Sequence, residues 1–191
     1  FSIFWLISIS NIFGSYEAGV WINAYRITSL PIVFCGAVIL PLVLVSIGDK
    51  ATNYAKYLIM FKFSILLFTL TLISSIAFYL EGETIFYFLT DHKSSISAVF
   101  LLFILFIAFM QYFIQYWKEL FQSVDKTLVM LLILLIELFL AILIYFYFDG
   151  VKLESFINWI FLITGFCFSL ILLLITNSFI YFKKLNSINK S

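Results

Sequence analysis

Charged residues are scarce in this chain, and their scarcity excludes an ordinary water-soluble domain. Only 11% of the 191 residues are charged, whereas 64% are hydrophobic and the mean hydropathy is +1.16. A soluble fold needs polar side chains over its whole outer surface, and 11 basic plus 10 acidic residues cannot supply them. The composition therefore predicts a protein whose solvent is lipid.

Cysteine and histidine are nearly absent, and with them the usual components of metal sites and catalytic dyads. Cys35 and Cys167 each fall inside an apolar run, so we predict small core residues and no disulfide. His92 is the only histidine, and no nucleophile with a base or Gly-rich phosphate loop can be assembled. The sequence therefore indicates no catalytic group, metal or cofactor. It also has no basic aromatic surface for a nucleic-acid partner.

Long charge-free runs separated by short polar breaks are the pattern of a polytopic membrane protein. A hydrocarbon core about 30 Å thick takes roughly 20 apolar residues as a helix. The runs predict an all-α fold with six spans, at 1–13, 20–47, 61–80, 94–117, 127–148 and 155–180. These spans form a transmembrane region at 1–182, followed by a polar tail at 183–191. Because the chain begins with Phe1 in the middle of a short apolar run, we expect residues upstream of it to be missing.

The distribution of lysine predicts how the spans are oriented. Eight lysines lie in the connections after the second, fourth and sixth spans, with Lys62 counted at the edge of the third span, and the other connections hold only Lys93 and Lys152. The positive-inside rule then places the carboxy terminus in the cytoplasm. The segment 50–62 is read either as a short amphipathic helix on the cytoplasmic surface or as a solvated linker.

Arg26 is the only arginine, and it lies inside the second predicted span. An intramembrane charge costs about 2.5–3.5 kcal/mol on insertion scales, so it needs a partner or a role. At helical spacing Arg26 shares a small and polar stripe with Gly19, Asn23, Ser29 and Ala37. Two interpretations stay open: a cation that lines a polar cavity, or a structural side chain that snorkels or pairs with an acid such as Glu17.

Glu137 lies near the middle of the fifth predicted span, between leucines and isoleucines. Ionised and alone it would be very costly there, so it is either neutral or paired. It is interpreted as a proton carrier or as a neutral, hydrogen-bonded packing residue.

Polar stripes also occur on the third, fourth and sixth predicted spans. Hydroxyl and amide groups in lipid often serve only as interhelical hydrogen bonds, but stripes on three helices favour a shared polar interior. Their members are Ser64, Thr71 and Ser75; Gln111, Gln115, Lys118 and Gln122; and Asn158, Gly165, Ser169 and Thr176.

The stretch 12–41, IFGSYEAGVWINAYRITSLPIVFCGAVILP, resembles the seventh-to-eighth helix region of the polysaccharide-repeat flippases. The resemblance lies in an outer turn with Gly14, Glu17 and Gly19, the segment 24–26 (Ala-Tyr-Arg), and the Leu-Pro at 40–41. Later features fall where that family places its own: the segment 83–89 (ETIFYFL), and turns at 121–126 (FQSVDK) and 148–150 (FDG). The resemblance covers nearly the whole chain and implies the carboxy-terminal six-helix lobe of a twelve-helix, two-lobed transporter.

The resemblance also implies an activity: alternating-access movement of an undecaprenyl-pyrophosphate-linked oligosaccharide across the bacterial cytoplasmic membrane for surface polysaccharide or lipopolysaccharide synthesis. Its implied partners are that lipid-linked substrate, membrane lipids and the missing amino-terminal lobe. Arg26 would attract the pyrophosphate, and the side chains of Asn23, Gln111, Gln115 and Asn158 would contact the sugars. The alternatives are a small-molecule antiporter of the same superfamily, with Glu137 as proton carrier, a membrane-embedded enzyme, or a channel subunit.

Overall fold

The computed structural model describes residues 2–47, 52–90, 96–123, 127–147 and 153–188, and their regular structure is helical throughout. Four of the helices are long and apolar enough to cross a membrane, over Ser15–Ile39, Asn53–Leu89, Ala98–Lys118 and Ser155–Tyr181. The chain is therefore a multi-pass membrane protein, as its composition predicts. The described helices are α1 (Ser2–Phe13), α2 (Ser15–Ile47), α3 (Asn53–Leu89), α4 (Ala98–Ser123), α5 (Thr127–Tyr147) and α6 (Leu153–Ile188).

Helix α4 lies at the centre of the bundle. It packs against α2, α3, α5 and α6, while α1 packs on α2. Its buried side chains run along most of its length, from Leu101 through Ile104, Ala108 and Phe113 to Phe121. Since apolar side chains cover α4 on most sides, it forms the core onto which the other helices pack.

Helices α2, α3 and α4, which follow one another in the chain, alternate in direction, as short connections between successive spans require. Hydrogen bonds join Tyr25 to Gln111 and Tyr116 to Ile32, so α2 and α4 run parallel. The rings of Phe103 and Phe161, and of Phe113 and Phe168, show the same for α4 and α6. By contrast, Trp117 bonds to Ser64 while Leu101 lies against Gly82, so α3 runs antiparallel to α4.

Helix α3 is much longer than its predicted span of 61–80. It begins at Asn53, where Thr52 caps it by accepting a hydrogen bond from the Ala55 amide, and it ends at Leu89. The polar residues 81–83, just beyond the predicted span, do not end the helix, because Gly82 is buried against Leu101 and α3 continues through it. A separate surface helix over 50–62 is also wrong, because its described residues are the first turns of α3. At 1.5 Å per residue, 37 residues extend about 55 Å, so α3 is longer than the roughly 30 Å thickness of the hydrocarbon core.

Helix α2 contains Pro31 and Pro41 and continues through both. Prolines are tolerated within transmembrane helices because neighbouring groups satisfy the carbonyls that lose a donor. The turn before α2 is made by Gly14, whose φ of +100° is a conformation that side-chain-bearing residues rarely adopt. The sharp turn lets α1 fold back onto α2.

The outer surface of the bundle is apolar. Large hydrophobic side chains such as Ile73, Ile76 and Leu173 are more than half exposed, as expected where lipid rather than water surrounds the helices. Cys35 and Cys167 are buried and not bonded to each other, which confirms that they are core residues.

Candidate functional site

Two polar side chains join α2 to α4 within the helical core. The Tyr25 hydroxyl donates a hydrogen bond of 2.9 Å to Oε1 of Gln111 across 86 residues of sequence. Tyr25 also stacks on Trp21, with ring centroids 6.4 Å apart, so its ring is held from one side. This polar pair between two membrane helices fixes α2 and α4 relative to one another, because either group alone would lack a hydrogen-bond partner in lipid.

Two further tyrosines of α4 continue this contact toward the lysine-bearing end of the helix. The rings of Tyr112 and Tyr116 lie 6.0 Å apart. The Tyr116 hydroxyl donates to the Ile32 carbonyl of α2 at 3.5 Å. This is possible because Gly36 has no side chain: a Cβ there would collide with the Tyr116 ring. The tyrosines thus give α4 a line of hydroxyl groups beside α2.

Arg26 and Asn23 point away from this contact and are exposed. They share the outward face of α2 with Leu30, Phe34 and Ala37, which are also exposed. Arg26 lies eleven residues into α2, about 16 Å from its start, which is longer than an arginine side chain.

Within the described residues Arg26 forms no ion pair, and Glu17 is not its partner. As far as the described part of the chain shows, Arg26 is therefore an uncompensated cation on an otherwise mostly apolar face. This arrangement attracts an anion and is costly against lipid.

The other amide side chains predicted for the site do not all meet. Gln111 is partly buried in its bond to Tyr25, and Gln115, one turn further along α4, is exposed. Asn158 is exposed on α6, three residues before Phe161, whose ring contacts Phe103. Gln111 lies eight residues beyond Phe103, so about 16 Å of helix axis separates it in depth from Asn158.

Hydroxyl groups of the remaining stripes bond to their own helices. Ser64, Thr71, Ser169 and Thr176 each donate to the carbonyl four residues earlier, at 2.8–2.9 Å. Such groups are satisfied locally and do not need a shared interior. The side chains of Glu137 and Gln122 lie outside the described residues, so the predictions that involve them remain predictions.

The sequence analysis did not predict that Tyr25, Tyr112 and Tyr116 would lie together, because tyrosine is counted among the hydrophobic residues. The sequence does place two of these tyrosines beside predicted site residues, since Tyr25 directly precedes Arg26 and Tyr112 directly follows Gln111. Among the described residues no three His, Cys, Asp or Glu side chains gather as a metal site would require.

No protein-family model, no curated protein and no solved structure matches this chain. The case for a function therefore rests on the sequence resemblance and on the geometry of α2 and α4.

Proposed function

We propose that this protein is one lobe of a polysaccharide-repeat flippase, which moves an undecaprenyl-pyrophosphate-linked oligosaccharide from the cytoplasmic to the outer leaflet. The observation that carries the proposal is Arg26, an exposed cation deep in α2 with no ion pair among the described residues. Facing lipid, the guanidinium would be costly; facing a polar cavity between two lobes, it would attract an anionic head group.

The site has to take the head group of the substrate out of water, and no covalent bond is made or broken. A sugar and pyrophosphate head group cannot cross hydrocarbon alone, because its polar groups would lose their hydrogen bonds to water. In the proposed cavity, the planar guanidinium of Arg26 binds the pyrophosphate through paired N–H donors, and the Asn23 amide on the same face bonds to the sugars.

The amide groups of α4 have two different parts in this proposal. Gln115 is exposed and offers its amide to the sugar, whereas Gln111 already bonds to Tyr25 and holds α2 in place. Asn158 lies at a different depth on α6, so it would meet the substrate at another stage of its passage.

The test is to replace Arg26 in the full-length protein and to measure surface polysaccharide and membrane protein level in the same strains. Each charge-assisted hydrogen bond is worth about 1.5–3 kcal/mol, so we expect Arg26→Ala to lower export about ten- to a hundredfold. Arg26→Lys should retain part of the export, because lysine keeps the charge and loses the paired donors. Leu30→Ala, on the same exposed face of α2, is the matched control and should export normally.

The possible outcomes separate the alternatives. Normal export by Arg26→Ala would remove its role as an anchor. A drop in protein abundance would show that Arg26 is structural. Altered drug resistance with normal polysaccharide would support the small-molecule antiporter.

A further inference from the structure

An apolar cavity lies between α3, α4 and α6, near the ends of α3 and α6 that carry lysines. Its volume is about 180 Å³. Tyr57 and Trp117 are each 1% exposed and lie deep in the cavity, whereas Phe61 is 48% exposed and lies at the rim. The cavity therefore extends inward from the lipid-facing surface. The complete lining is Tyr57, Phe61, Trp117, Ile175, Thr176 and Phe179.

The polar atoms of Trp117 and Thr176 are turned toward partners within the protein. The Trp117 Nε1–H donates to Ser64 Oγ at 2.9 Å, and the Thr176 hydroxyl donates to the Leu172 carbonyl at 2.9 Å. What Trp117 and Thr176 present to the cavity is thus an indole face and a methyl group. Cavities of this kind stay dry and accept apolar groups.

The helix ends near the cavity are positively charged. Lys62 directly follows the rim residue Phe61 and is exposed, and Lys56 precedes Tyr57. On α6, Lys184 lies five residues beyond Phe179 and is exposed. The described residues 53–80 of α3 and 155–188 of α6 contain no acidic residue, so the formal charges that these two segments bring to the cavity are basic. Basic surfaces between transmembrane helices attract anionic lipid head groups.

From the cavity and these charges we infer that this site binds one acyl chain of an anionic phospholipid, with the phosphate drawn to the lysines of α3 and α6. The ligand enters from the leaflet at the lysine-bearing side. None of the lining residues belongs to α2, so this site is separate from the face that carries Arg26. The inference does not depend on the proposed transport activity.

Native mass spectrometry of the purified full-length protein can measure retention of phosphatidylglycerol. Thr176→Phe places a ring in the cavity mouth, and the lost chain burial should weaken retention about tenfold. Thr69→Phe is the matched control: Thr69 is exposed on α3 and donates to the Ile65 carbonyl at 2.9 Å, as Thr176 does to Leu172. Unchanged retention by Thr176→Phe, or equal loss in both variants, would overturn the inference.

The choice of an anionic phospholipid has its own tests. Lys62→Gln should reduce the preference for phosphatidylglycerol over phosphatidylcholine about fivefold, because one lysine near a membrane surface is worth about 1 kcal/mol. An unchanged preference would contradict the assignment of the head group. If undecaprenyl phosphate, and not phosphatidylglycerol, is the lipid whose retention depends on Thr176, the occupant is a prenyl chain and our assignment is wrong.

A second measurement uses the unaltered cavity, so it does not depend on the folding of Thr176→Phe. Phosphatidylglycerol with brominated acyl chains should quench tryptophan fluorescence more than brominated phosphatidylcholine does. Trp117→Phe should abolish that difference, since Trp117 lies deep in the cavity. A difference that survives Trp117→Phe would place the lipid elsewhere and refute the site.

Discussion

At the scale of single residues, Tyr116 of α4 packs directly against Gly36 of α2, where there is no room for a Cβ. Tyr116 is 6% exposed and its ring also packs edge-on against Phe63, with centroids 5.6 Å apart. Because the ring is held by both α2 and α3, it has little freedom to move away from an added methyl group.

We therefore expect Gly36→Ala to lower the free energy of unfolding in detergent by about 1–3 kcal/mol through overpacking. Gly19→Ala, on the same helix, has no atom within 4 Å of its new Cβ and should be neutral or slightly stabilising. Tyr116→Leu should offset part of the loss when combined with Gly36→Ala. Equal stability of Gly36→Ala and Gly19→Ala would show that the contact is not formed.

At the scale of helices, α3 and α4 are joined by a hydrogen bond between the partly buried Ser64 and the buried Trp117. Trp117 donates to Ser64, and Ser64 in turn donates to the Met60 carbonyl of its own helix at 2.9 Å. The indole also lies between Tyr57 and Phe121, with centroids 5.8 and 5.9 Å away. The bond therefore fixes the register of two long helices within an aromatic cluster.

Ser64→Ala should lower stability by about 0.6 kcal/mol, with about 1.7 kcal/mol as the upper end measured for such bonds in membranes. The control is Ser75→Ala on the same helix, whose hydroxyl bonds only to the Leu72 carbonyl and whose loss should be near zero. A double-mutant cycle with Trp117→Phe measures the pair directly. Strict additivity of the two changes would mean that the bond contributes nothing.

The existence of the helices could be predicted from sequence, whereas their lengths could not. Apolar runs show which residues suit lipid, so they predict the membrane-crossing part of α3 at 61–80. The flanking turns stay helical for another reason. Glu83 accepts a hydrogen bond from the Ala98 amide at the start of α4, and Gly82 packs on Leu101. Such tertiary contacts leave no mark in hydropathy.

For the candidate site, too, the sequence predicts what lies within one helix but not the contacts between helices. The exposure of Arg26 and Asn23 on one face follows from helical periodicity, so the sequence was enough to group them. The pairing of Tyr25 with Gln111 depends on how α2 and α4 pack, which no spacing within one helix can specify.

At the scale of the whole molecule, the alternating helix directions do not determine which connections face the cytoplasm. The lysine count predicts that the connections containing Lys93 and Lys152 face outward, and that those containing Lys126 and Lys184 face the cytoplasm.

A cysteine at Lys93 or Lys152 should therefore react with an impermeant thiol reagent on intact cells, and one at Lys126 or Lys184 should not. The unaltered chain is the control, and its labelling should be low because Cys35 and Cys167 are buried. Reversed labelling would overturn the orientation and with it the assignment of the lobe.

The pairing of Tyr25 with Gln111 has a consequence for how the protein is made. Several described hydroxyl groups, such as those of Thr28, Thr71 and Thr176, donate to a carbonyl of their own helix, so these groups need no later helix to satisfy them. Helix α2 cannot be fully satisfied in this way, because Gln111 is synthesised 86 residues after Tyr25. At about 5–20 residues per second, the ribosome takes several seconds to supply it. We therefore expect the nascent α2, with Arg26 and a Tyr25 hydroxyl that still lacks Gln111, to stay beside the translocon until α4 emerges.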